Sequence, residues 1–203
     1  MSMVFEVLPT IHKIPACEEI ILHSVHLFND YLMKHGIKLE IDVISKENDL
    51  SGPKSSNPLY LVSDENSYSV FELNGEGEVY VFFNKSSELD EECWNEEIKH
   101  NKNAKALIKE VEANKKLGYS WMVKRTAGQS AIVNLYYGFL AISIAVSTAG
   151  IIYSDDGAWE YSKLPMSGER FISEYLNADY VEDTKLKEWV EKQLKIVKER
   201  INI

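Results

Sequence analysis

The run AIVNLYYGFLAISIAVSTA, Ala131 to Ala149, decides the fold. It is about as long as a membrane span. Lys124 and Arg125 precede it and Asp155 and Asp156 follow it, flanks that would suit one crossing. Asn134, Gly138, Ser143, Ser147 and Thr148 interrupt it, however, and strand patterns lie on both sides. A helix that is apolar all round is also what a central, sheet-covering helix looks like. We therefore read residues 131–149 as a buried helix of a water-soluble body with no membrane contact. The small residues Gly138, Ala141, Ala145 and Ala149 would let a neighbouring backbone approach it closely.

Downstream, Gly150 stops the helix and GIIYS reads as a short strand. SDDG is a turn signature, and AWEYS reads as the return strand of a hairpin. Ser167 caps a helix over GERFISEYLN. Asp183 caps the last one, whose apolar stripe is Leu186, Trp189, Val190, Leu194, Val197 and Ile201. Upstream, YSWMVKRTA (Tyr119–Ala127) reads as a strand and Ser130 as the cap of the buried helix.

The first half alternates similarly. Val4–Leu8 is a strand. A helix then runs from near Pro15 to Gly36, with Cys17, Ile21, Val25, Phe28 and Leu32 at helical spacing. Ile37–Ile44 alternates as a strand does, and Ser45–Pro58 is polar, with Gly and Pro: a mobile loop and the only candidate linker. LYLVS, YSVFELN and EVYVFFN read as three strands, with NGEGE turning between the last two. Ser86 or Ser87 caps an acidic helix, and Ala104–Lys116 forms another. This order predicts the α+β class: a single domain over residues 1–203, a mostly antiparallel sheet covered by helices, with one central buried helix.

The 203 residues suffice for one good core, and 45% apolar with 27% charged is ordinary globular composition. A net charge of −10 repels phosphate backbones, so nucleic acid is not an expected ligand, and it attracts basic partners. Cys17 and Cys93 stand apart from any Cys/His cluster, which disfavours structural zinc and suits a reducing, cytoplasmic setting. The first residues lack the pattern of a secretory leader.

Candidate chemistry is sparse. Asp155 and Asp156 are a possible acid/base pair, but adjacent strand residues point to opposite faces, and Asp-Gly in a turn needs no catalytic reason. Arg125 shares a strand face with Trp121 and is placed to pair with one of those aspartates. With Tyr153 and Trp159 they define a candidate pocket: Arg125, Tyr153, Asp155, Asp156 and Trp159. Glu19, His23, His26 and Asp30 fall on one helix face, a conceivable metal set that lies on the solvated side and lacks HExxH order. No nucleophile elbow, phosphate loop or cofactor motif is present. The strongest charge feature is ELDEECWNEE. It gives a candidate interface of Glu88, Asp90, Glu91, Trp94 and Glu97, with acids to steer a basic protein partner and one aromatic to anchor it.

From Tyr119 to Leu176 the chain resembles small bacterial uncharacterised domains and predicted immunity proteins of polymorphic toxin systems. The resemblance rests on the apolar run leading into GIIYSDDGAW, with Gly150, Tyr153, Asp155, Gly157 and Trp159. It covers a quarter to a third of the chain and implies a cytosolic protein that binds and blocks a cognate toxin. The expected function is thus a protein-binding module. The alternatives are a small hydrolase or ligand-binding enzyme using Asp155, Asp156 and Arg125, or a structural or scaffolding domain.

Overall fold

The computed structural model describes residues 3–49 and 51–201, the side chain of Ile201 excepted, so that member of the last helix's stripe lies outside the described residues. Eight strands form one antiparallel sheet: β1 (Met3–Leu8), β2 (Val43–Asp49), β3 (Gly52–Ser56), β4 (Ser67–Leu73), β5 (Gly77–Lys85), β6 (Tyr119–Arg125), β7 (Ile151–Tyr153) and β8 (Met166–Ser167). Their spatial order is β3-β2-β4-β5-β6-β1-β7-β8. The helices are α1 (Cys17–Lys34), α2 (Glu88–His100), α3 (Lys102–Ala106), α4 (Ile108–Leu117), α5 (Ala131–Ser147), α6 (Gly168–Glu174) and α7 (Thr184–Ile201). The class is α+β, a sheet covered by helices.

The apolar run is α5. It crosses the sheet behind β1, β5, β6 and β7 and is itself covered by α1, α6 and α7. Ser130 caps it by accepting from the Val133 amide. Its polar residues bond inside the protein: Asn134 donates to Gln193 of α7, although its Oδ1 is buried without a partner among the described residues, and Ser143 and Thr148 donate to the carbonyls of Phe139 and Ile144. Among the described residues no helix is long and apolar enough to cross a membrane.

The small residues are used as close-approach points. The Tyr175 ring packs onto Gly138, where an added Cβ would overlap it, and Gly168 brings α6 to within 2.9 Å of Ala145 measured from an added Cβ. Ser24 of α1 bonds Tyr136 of α5 at 2.6 Å. The buried face of α1 is Cys17, Ile20, Ser24, Phe28, Tyr31 and Leu32, so Cys17, Phe28 and Leu32 of the expected stripe are buried and Ile21 and Val25 are half-buried.

The sheet is dressed on both faces. Phe5, Val7, Trp121, Val123 and Ile152 point to the α5 side. Leu8 and Ile151 point the other way and build a small second core with Trp94, Ala104 and Val111 of α2–α4.

Several local expectations are corrected. Ser45–Pro58 is not a loop: β2 and β3 form a hairpin on the sheet edge. Its polar side chains suit an exposed edge, where Lys46 pairs with Glu72, and Lys54 bonds Ser67 and pairs with Glu47. Asp49 holds the turn by accepting from Ser51 and Gly52. The strand expected over Ile37–Ile44 starts only at Val43. LYLVS adds no strand to the sheet and makes a single bridge, Ala16 to Tyr60, because it leaves the sheet to close the start of α1. AWEYS is not the return strand: the chain makes a short 3-10 turn at Tyr161–Lys163, and Met166–Ser167 returns to β7 instead.

Candidate functional site

The alternation of β1 sends Glu6 to the face opposite Phe5 and Val7, beneath α2. Ser87 and Asp90 form a reciprocal capping box that starts α2 beside β1. β7 delivers Tyr153 and then Asp155 alongside. These elements enclose a groove of about 570 Å³ lined by Asp90, Glu92, Cys93, Trp94, Glu96 and Glu97 of α2, with Glu6, Tyr153 and Asp155, and Leu89 at its rim. Six of these residues are carboxylates and none is Lys, Arg or His.

Trp94 and Tyr153 make the floor, their rings 5.0 Å apart. Trp94 is only 8% exposed, so it supports the groove rather than projecting as an anchor, whereas Leu89 is 67% exposed. Glu97 ties three elements together. Its Oε1 accepts from the hydroxyls of Tyr153 (3.0 Å) and Tyr161 (2.6 Å), and its Oε2 from Asn101. Burial, and then the bond to Glu97, pushes the Tyr153 hydroxyl far above the ordinary tyrosine range. Glu92 and Asp155 face solvent, and Glu96 pairs with Lys99 and His100 along the helix.

Burial raises the Glu6 carboxyl above its ordinary value. A hydrogen bond from Ser120 (2.7 Å) opposes that rise, and the charges of Asp90 and Asp155 add to it. Holding Glu6 ionised therefore costs stability. The cost is absent below the unfolded-state value, about pH 4, and grows as pH rises to the raised folded value. Glu6→Gln keeps an acceptor for Ser120, so it should raise the thermal midpoint at pH 7 and leave it unchanged below about pH 4. Thermal melts at both pH values check this; an equal effect at the two would contradict the burial account.

The sequence-derived sets are redistributed. Of the five interface residues, Asp90, Trp94 and Glu97 line the groove. Glu88 does not, and Glu91 lines a narrow crevice beside it with Lys115. Of the five pocket residues, Tyr153 and Asp155 join the groove and the other three do not. Asp156 is consumed by the turn, accepting from Val4 N at 2.8 Å and from Ser154 and Ala158. Trp159 is core, packed on Tyr175 and Phe171. Arg125 pairs with neither aspartate and lies on the α5 face of the sheet. On α1, Glu19 bonds Lys13 and Ser147, and His26 pairs with Asp30. Among the described residues no group of three or more His, Cys, Asp or Glu is placed to hold a metal. Both cysteines are free; burial pushes the Cys17 thiol up to about 11, while Cys93 is exposed in the groove.

Glu6 is the groove residue that sequence reading missed, although the alternation in VFEVL already placed it opposite Phe5 and Val7. Compared with known proteins, the chain matches no family model, and neither a curated protein nor a solved structure is significantly similar to it.

Proposed function

We propose that this chain is a protein-binding module that docks a basic segment of a partner into the α2 groove. The observation that carries the reading is the groove's composition: six carboxylates over an aromatic floor, with no lining cation. Such a site steers lysine- and arginine-bearing surfaces during encounter and accepts their long side chains. The exposed Leu89 supplies an apolar contact at the rim. The finer reading is a cytosolic immunity protein that neutralises a basic toxin, supported by the sequence resemblance over residues 119–176 and by the acidic charge.

The test is charge reversal at the three solvent-facing positions, Glu92→Lys, Glu96→Lys and Asp155→Lys, which spares the hubs Glu6, Asp90 and Glu97. Binding to a basic toxin encoded beside the gene should weaken about 30- to 100-fold at low salt. The wild-type protein should lose a comparable amount when salt is raised from about 0.05 M to about 0.5 M. Co-expression should show that the wild type protects cells and the triple variant does not. A variant that binds and protects like the wild type overturns the reading.

A further inference from the structure

Arg125 ends β6 opposite Met3 and is 9% exposed. The chain's other two arginines are paired, Arg170 with Glu174 and Arg200 with Glu76. Arg125 has no ion pair among the described residues, and its Nε is buried without a hydrogen-bond partner. Two aromatic faces hold the guanidinium, Tyr137 at 5.0 Å and Trp189 at 5.8 Å from the ring centroids, and the Tyr137 hydroxyl, which carries no charge of its own, is a polar neighbour. Those contacts orient the cation but do not replace the anion that a buried charge requires. Asp156 accepts three hydrogen bonds in the turn and makes no ion pair with Arg125.

Arg125 lines a cavity of about 220 Å³. Met3, Leu186 and Trp189 give it apolar walls, Lys185 adds a second cation and Asp183 a single carboxylate. Asp183 already accepts from the amides of Lys185 and Leu186, so the start of α7 is occupied and Arg125 is the open anion partner.

We propose that this cavity binds a small organic carboxylate with an apolar body, the carboxylate on Arg125 and the body against Leu186 and Trp189. The planar fork of arginine matches a carboxylate in two parallel hydrogen bonds. The Asp183 charge disfavours a phosphate dianion in the same space. The size suits a molecule at or below the small end of ordinary ligand pockets, which start near about 300 Å³. The site lies on the α5 face of the sheet, the groove on the other, so each stands or falls without its counterpart.

The test is calorimetric titration of the full chain with benzoate and 3-phenylpropionate, with the matching amides and inorganic phosphate as comparisons. At least one acid should bind saturably, about tenfold or more tighter than its amide and than phosphate. Arg125→Met should abolish that binding. Leu186→Trp, which fills the cavity from a half-buried position and keeps Arg125 in the chain, should abolish it as well, and serves if the Arg125 variant fails to fold. The Arg125 Nε–H resonance should shift on adding the acid. No binding by either acid, equal binding of acid and amide, tighter binding of phosphate, or binding that survives Leu186→Trp overturns the proposal.

Discussion

Trp121→Ala should lower the unfolding free energy by about 4–5 kcal/mol. Trp121 is fully buried at the centre of β6, between Phe83 and Tyr119 and against the core that α5 fills. Large-to-small truncation of a buried indole costs about 3–5 kcal/mol through lost burial and the cavity left behind. A second loss adds to it. The indole Nε1 donates to the Val62 carbonyl at 2.9 Å, which is how residues 59–63, outside the sheet, are pinned to it. Without that donor a buried acceptor is stranded, worth about 1 kcal/mol or more. Urea denaturation checks the sum, and Trp121→Phe separates the two contributions by keeping most of the volume while removing the donor. A cost below about 2 kcal/mol for the alanine variant would mean that β6 is not the core strand described.

Gly138→Ala tests α5 by sign rather than size. In a helix interior, alanine is favoured over glycine by about 1 kcal/mol. At Gly138, however, an added Cβ would overlap the Tyr175 ring. That ring cannot easily move: it is packed on Phe5, Phe139, Trp159 and Phe171, and its hydroxyl bonds the Leu135 carbonyl at 3.2 Å. Overpacking of this kind costs about 1–3 kcal/mol and more where the neighbour is locked, so the net change should be a loss of about 2 kcal/mol. A stabilised Gly138→Ala variant, measured by the same denaturation, would contradict the packing of α6 and its following turn on α5.

What could be read from the sequence was what local chemistry determines. The apolar run of α5, the alternation in β1, β4 and β5, and the caps at Ser130 and Asp183 are each set by side chains a few residues apart and lie where the pattern places them, and of Ser86 and Ser87 it is Ser87 that caps α2. The β2–β3 hairpin was illegible because an exposed edge strand carries no apolar alternation. Its Lys, Glu, Asp and Ser look like loop residues until a partner strand pairs them. The buried face of α1 was legible at Cys17, Phe28 and Leu32, but Ile20 and Ser24 are buried in place of Ile21 and Val25, because Ser24 counts as polar until Tyr136 satisfies it. The groove was half legible. The acidic first turns of α2 announce one wall, but Glu6 on β1 and Asp155 in the turn after β7 lie about 85 and 65 residues away along the chain, and only the register of β1 with β7 brings them together. The lack of an ion pair at Arg125 was equally hidden, since the sequence places Asp156 beside it without showing that Asp156 bonds the backbone of Val4 instead.

The central claim, that the carboxylate-lined groove is the binding surface, is tested most directly by mapping amide shifts in ¹H–¹⁵N spectra while a lysine-rich peptide is titrated in at low salt. The account predicts shifts concentrated along residues 88–97 and 153–156 and in β1 around Glu6, fading as salt is added. Shifts centred instead on α1 or α7, or an unperturbed α2 at saturating peptide, would contradict it.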